Sequence, residues 1–269
     1  MRGATKRIAA ALAVVLTGCA ISTGQVSRVE PSVADSPTPT AAITASPTAP
    51  EVVNSELFAA RAPTPTPLPE PEPFAMNLYT EGDFVPQHTF EWCVAASIQM
   101  TYNMARDPNR SSVEDQGTIW DEARERSNDQ WGGASGGGWA KLLTEWGVGE
   151  YVLAATGDFD NALRKAARAI RNHELAVGLI MWRGRHAWVM SGFESIGDPA
   201  IHEDFIVTGV RVLDPLYPHG DARWGPSPAP NSLLTPDELA IQFKARDGRA
   251  IGPDSPPGYV LVLPVAPQD

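Results

Sequence analysis

The chain has 269 residues, 43% hydrophobic and 20% charged, with a formal net charge of −11. Phosphate-backbone binding needs a basic face, so this balance excludes nucleic acid as a partner, and the acidity reads first as solubility. Two cysteines occur, Cys19 and Cys93, so a domain holding Cys93 alone has no internal disulfide and its single thiol calls for a role.

Arg2, Lys6 and Arg7 precede a nine-residue apolar run, Ile8 to Leu16. A bilayer-spanning helix takes about 20 residues, so the run reads as the core of a signal segment, residues 1–18. It ends in Leu16-Thr17-Gly18-Cys19, which resembles a bacterial lipoprotein lipobox. That resemblance implies cleavage before Cys19, diacylation of its thiol and a membrane anchor. Residues 19–74 follow as a tether rich in Pro, Thr, Ser and Ala, with eleven prolines between Pro31 and Pro73. Few large apolar side chains are available there to build a core, so an extended, disordered stalk is expected. About fifty residues at roughly 3.1 Å each in polyproline II span on the order of 100 Å or more.

Residues 75–269 read as one globular domain. Cys93 to Arg106 is apolar on most sides, which predicts a buried central helix broken at Asp107-Pro108. Ser112 to Arg126 predicts a more polar helix, and Trp139 to Trp146 a short one closed by Gly147. Asp158 to Asn172 is amphipathic, with Phe159, Ala162, Leu163, Ala166, Ala167 and Ile170 on one side. Leu175 to Trp182 turns through Arg183-Gly184-Arg185 into His186 to Phe193, the spacing of a hairpin. Phe205 to Leu213 is a further strand. Thr235-Pro236-Asp237-Glu238 opens a helix with a capping-box pattern, and Tyr259 to Val265 is the last strand. Helices first and an antiparallel sheet after them predict an α+β fold.

A thiol attacks carbonyl carbon as thiolate, and its unperturbed pKa is about 8.5. A helix N-terminus and a neighbouring imidazolium both lower it. Cys93 opens a predicted helix, so the first condition is met. His186 is the best of the five histidines for the second: it opens a strand directly after a tight turn, on a rigid apolar element. Asp214 ends the next strand and is the acceptor for the second ring nitrogen.

The segments Gln87 to Ser97, His186 to Phe193 and Val210 to Pro218 together resemble the papain-like cysteine peptidases. The similarity is greatest to their compact bacterial branch, which includes the bacteriocin-processing peptidases of family thirty-nine. In that superfamily a Gln precedes the nucleophile by six residues, as Gln87 precedes Cys93, and an Asp-Pro ends the strand after the His strand, as Asp214-Pro215 does. The resemblance implies a papain-like fold, with a helical part whose central Cys-bearing helix packs on an antiparallel sheet. It assigns Cys93 as nucleophile, His186 as base and then acid, and Asp214 as the group orienting His186. The Gln87 amide with the Cys93 backbone N–H becomes the oxyanion hole, where one donor is typically worth about 10²–10³ in rate. Val94 stands where the bacteriocin processors have Gly, which argues against their double-glycine leader specificity. The 28-residue step from His186 to Asp214 is long, and a loop over Glu194 to Asp204 is expected to border the cleft. By the same analogy Gly137 and Gly138 line the substrate side, and Trp188, on the His186 face of its strand, contacts substrate or shields the His–Asp pair.

The Gly132–Gly138 run lacks the Gly-Lys-Ser/Thr of a phosphate loop, and no metal-ligand spacing occurs, so no cofactor is expected. The reading is a lipid-anchored, monomeric, extracytoplasmic cysteine peptidase with a peptide or protein substrate. Transglutaminase-like acyl transfer and cell-wall amide hydrolysis share the order of residues, and a non-catalytic binding module of the same fold is the third alternative.

Overall fold

Residues 68–128, 133–248 and 252–267 are described by a computed structural model, and all lie within one unit, Thr64–Asp269. Cys19, the signal segment 1–18 and the tether up to residue 67 lie outside the described residues.

Five helices and nine strands follow one another among the described residues: β1 (Pro73–Asn77), α1 (Cys93–Ala105), α2 (Val113–Glu125), α3 (Gly136–Glu145), β2 (Glu150–Thr156), α4 (Phe159–His173), β3 (Val177–Met181), β4 (His186–Ile196), β5 (Ile206–Leu213), the short β6 (Gly220–Asp221), β7 (Gly225–Pro226) and β8 (Ser232–Leu234), α5 (Pro236–Gln242) and β9 (Tyr259–Val265). The protein is α+β, with every pairing in its main sheet antiparallel. That sheet runs β2-β9-β3-β4-β5-β8, and β1 joins β4 beyond the point where β3 ends. The boundary expected between residues 74 and 75 therefore falls inside a strand. Pro73 pairs with Ile196 and Phe74 with Ser195, and Phe74 packs on the core, so the folded chain begins before the Pro-rich composition ends.

The sheet is covered on both faces, which explains why its central strands are almost continuously apolar. Alternation sends Leu179, Met181, Trp188, Met190, Leu261 and Leu263 into one core with α4 and Leu239 of α5. It sends Ala187, Val189 and Val262 to the other face, into a second core with α1, α2 and α3. The helical layer holding α1 is the one that positions the site. Helix α1 lies against β4, and the Ser97 hydroxyl donates to the Ala187 carbonyl at 3.3 Å, tying the Cys-bearing helix to the strand next to His186.

The glycines at the start of α3 act in this packing. Each lacks the side chain that helix propensity favours, at a cost of about 1 kcal/mol relative to Ala. A Cβ on Gly138 would lie 2.2 Å from the Ala123 carbonyl oxygen of α2, and one on Gly137 2.2 Å from a carboxylate oxygen of Asp254. Both are buried and neither lines the cleft described below. The expected substrate contact at Gly137 and Gly138 is thus corrected to close helix–helix and helix–loop packing. Gly138→Ala is expected to cost about 1–3 kcal/mol, because the obstructing atom is backbone. At about 2–4 °C per kcal/mol the melting temperature falls by roughly 2–12 °C. Gly157→Ala, with nothing within 4 Å of its Cβ, is the control expected to melt within about 0.5 kcal/mol of the parent. Equal melting of the two variants excludes the packing account.

Candidate active site

Four of the five described helices begin with a side-chain cap. Ser112, Ser135, Asp158 and Thr235 accept from the backbone N–H of Asp115, Gly138, Asn161 and Glu238. Helix α1 does not: Trp92 at its N-cap makes no such bond, and its first turn carries no acid. The exposed end of the helix dipole and its unpaired first-turn N–H groups are left beside Cys93, the first helical residue. Cys93 is half-buried and free.

His186 is delivered by a strained turn. Trp182, Arg183 and Gly184 have φ of +53°, +60° and +94°, and the first two are non-glycine residues in a region such residues seldom adopt. Helix α5 holds the turn in place. The Trp182 backbone N–H donates to the Gln242 carbonyl at 3.1 Å, and its indole N–H donates to Gln242 Oε1 at 2.8 Å. The indole then stacks on the imidazole, ring centroids 4.1 Å apart and planes 24° from parallel, and Trp224 stacks in turn on Trp182 at 6.0 Å.

Asp214 follows β5. The β4–β5 register pairs Leu213 with Val189, and one further step sets Asp214 level with Trp188 and diagonal to His186 on the same face. His186 Nε2 and Asp214 Oδ1 are 2.7 Å apart, with His186 5% and Asp214 0% exposed. Oδ1 also accepts the Leu216 backbone N–H at 2.9 Å, whereas Oδ2 has no hydrogen-bond partner among the described residues. No other ion pair to Asp214 exists among the described residues, so His186 alone is placed to balance this buried carboxylate.

Burial, the largest single influence on His186, favours its neutral form. Hydrogen bonds to Asp214 and to Cys93, with the charge of both, outweigh it and push the imidazole up to about 9. His186 is thus paired with the orienting candidate at 2.7 Å, while Cys93, lining the same cleft, favours its charged form.

The remaining expectations divide. Gln87 lies in the loop before α1, its backbone N–H donating to the Pro215 carbonyl at 2.8 Å, one residue past Asp214. Its side-chain amide donates to the Thr89 carbonyl at 2.9 Å within its own loop, and it does not line the cleft. Trp188 is fully buried in the core under α4 and lines no cleft, so the expected substrate contact there is corrected. The ring stacked on His186 is Trp182. The segment after Gly197 does not border the cleft either. It lies at the far end of β4 and is fixed to α4, where Arg171 pairs with Asp198 at 2.9 Å and Arg168 donates to the carbonyls of Pro199 and Glu203. Asp198 is thereby committed to Arg171.

A cleft of about 380 Å³ opens over Cys93 and His186. Phe90, Trp120 and Ile180 give it apolar surface, and the segment Gly133–Gly136 lines it together with Arg185 and Arg246. Phe90 is 90% exposed, an apolar ring left uncovered beside the thiol. Sequence reasoning did not find Phe90, Trp182 or the two arginines. Only the exposed aromatic next to the Cys motif had a local signal.

No family model, curated protein or solved structure matches the chain. The chemistry is therefore read from its own residues: a thiol at an uncapped helix end, a buried imidazole paired with a carboxylate, and a cleft lined by the thiol and the imidazole.

Proposed function

We propose that this protein is a papain-like cysteine peptidase, lipid-anchored through Cys19 outside the cytoplasmic membrane, that hydrolyses peptide bonds through Cys93, His186 and Asp214. One observation carries the reading. The buried His186–Asp214 hydrogen bond of 2.7 Å lies on an imidazole that shares one cleft with Cys93. A merely structural histidine has no need of a thiol at an uncapped helix end beneath a cleft.

The steps follow from the atoms. Cys93 Sγ, its proton on His186, attacks the carbonyl carbon, and the carbonyl π pair moves to oxygen. The Cys93 backbone N–H, at the uncapped start of α1, is the donor for that oxyanion, and Gln87, its amide held by the Thr89 carbonyl, takes no part in the arrangement described above. Collapse of the intermediate breaks the C–N bond, and the imidazolium gives its proton to the leaving amine. Water then attacks the thioester, with its proton taken by neutral His186. The carboxylic acid leaves, and the thiol and imidazole are regenerated. Asp214 fixes the tautomer, because Nε2 donates to its carboxylate and Nδ1 is left to face the sulfur.

The test is the rate of Cys93 alkylation by iodoacetamide against pH, in the parent and in His186→Ala. Expected is fast reaction persisting below neutral pH in the parent, and in the variant a profile that rises only toward the model thiol value of about 8.5. Profiles that coincide, or a parent that reacts only near that value, overturn the thiolate–imidazolium pair and with it the peptidase reading.

A further inference from the structure

In a chain of net charge −11, the cleft over Cys93 and His186 is lined by two arginines. Arg185 directly precedes His186. Arg246 is held alongside by its backbone, which exchanges two hydrogen bonds with Gly258 at 2.7 and 3.0 Å. Its side chain lies along the β3–β4 turn, with Cδ 3.4 Å and Nε 3.7 Å from where a Cβ on Gly184 would be. Both arginines line the cleft that holds Cys93 and His186. The acids nearby do not neutralise them. Asp247 pairs with Arg183. Asp254 accepts the Ser135 hydroxyl at 2.6 Å and the Asn128 backbone N–H at 2.7 Å, against the first turn of α3. Neither Arg185 nor Arg246 forms an ion pair among the described residues. Glu91, exposed on the segment leading into α1, is the other acid on the cleft. The opposite character is supplied by Phe90 and Trp120.

We infer that Arg185 and Arg246 form a carboxylate-binding subsite, so that the cleft takes an acyl substrate carrying a carboxylate close to the bond cut, beside an apolar group that rests on Phe90 and Trp120. This rests on the peptidase reading for the word substrate, but the subsite itself does not. Guanidinium groups meet carboxylates in a planar, two-bond geometry, and two of them beside a partly enclosed site concentrate anions there. The carboxylate belongs either to an Asp or Glu side chain or to the free end of a peptide.

The experiment reads the subsite without turnover. Cys93 of the full chain is alkylated with iodoacetate and with iodoacetamide, which differ in one charged group, and the ratio of rates is compared with that for free N-acetylcysteine. Steering by a charged cleft raises anion on-rates by about 10–10³-fold. The ratio is expected to exceed the free-thiol ratio by about tenfold or more at low salt, and to fall as salt screens it. Arg185→Gln and Arg246→Gln each lower the iodoacetate rate while leaving the iodoacetamide rate in place, and Glu91→Gln raises it. A ratio equal to that of the free thiol, or one that survives both arginine substitutions, overturns the subsite. So does a Cys93 that reacts with neither reagent, since the cleft then admits no side chain. With quenched peptides the two sources separate: preference for Glu over Gln assigns a side chain, and preference for a free over an amidated end assigns a terminus. Cleavage with neither preference overturns the inference. Absence of all cleavage, with the iodoacetate preference intact, overturns the peptidase reading and leaves the subsite standing.

Discussion

Cys93→Ala is expected to remove hydrolysis altogether while the fold melts within about 1 kcal/mol of the parent. Deleting the nucleophile of a triad costs about 10⁶ in rate in a comparable serine enzyme, and what survives is binding and oxyanion stabilisation without a covalent step. Stability is spared because Cys93 is only half-buried at the first position of α1, where its side chain caps no helix and closes no disulfide. The substitution also acts on its neighbour. Cys93 raises His186 through a hydrogen bond and through charge, so in the variant the imidazole titrates below its parent value of about 9. Imidazole resonances followed by NMR against pH check this directly. Hydrolysis that survives, or a His186 titration that does not move, separates Cys93 from the chemistry.

Much of this site is local in the chain, and that part was legible. A cysteine at the start of an apolar helix, a histidine opening a strand after a turn, and an Asp-Pro closing the next strand are each written within a few residues. Strand register then brings the last two together without further information. Alternation and capping chemistry also located β9 at Tyr259–Val265 and the Thr235 capping box, both as the structure has them. What escaped depends on partners far away in sequence. Strand β2 pairs with β9 over a separation of more than a hundred residues, Glu150 opposite Val265, and its weak Leu-Ala-Ala-Thr end acquires strand character only from that pairing. Strand β1 sits behind prolines that read as tether. The tryptophan stacked on His186 is Trp182 rather than Trp188 for a backbone reason. Alternation correctly sets Trp188 on the His186 face, but there it is sealed in the core under α4. Trp182 reaches the imidazole through positive φ angles that residue propensities do not foresee. Gly137 and Gly138 show the same limit, since the backbone and carboxylate they accommodate come from Ala123 and Asp254.

Asp214→Asn is expected to cost up to about 10⁴ in kcat, the loss seen when the orienting carboxylate of a Ser-His-Asp triad is neutralised and the imidazole tautomer is no longer held. Its signature beyond activity lies in how stability depends on pH. Folding carries His186 from about 6.5 in the unfolded chain up to about 9. A raised folded value means that the native state holds the proton more tightly. The resulting stabilisation is complete below pH 6.5, declines between 6.5 and 9, and is absent above 9. Its size follows from the shift at 1.36 kcal/mol per unit, on the order of 3 kcal/mol. Asp214 is the first of the influences that raise His186. With the carboxylate gone, burial acts with less opposition, the folded value drops, and the slope flattens. The parent protein is therefore expected to lose stability from pH 6.5 to 9 while Asp214→Asn loses much less, so that the gap between them narrows as pH rises. Above pH 9 it can invert, because the parent then keeps a fully buried carboxylate, 0% exposed, beside an imidazole that no longer carries charge. Urea unfolding of both proteins at pH 6.5, 7.5 and 9 measures the effect. Parallel stability curves would mean that the 2.7 Å contact joins a neutral imidazole to Asp214, and the pair would then lack the proton that the proposed attack requires.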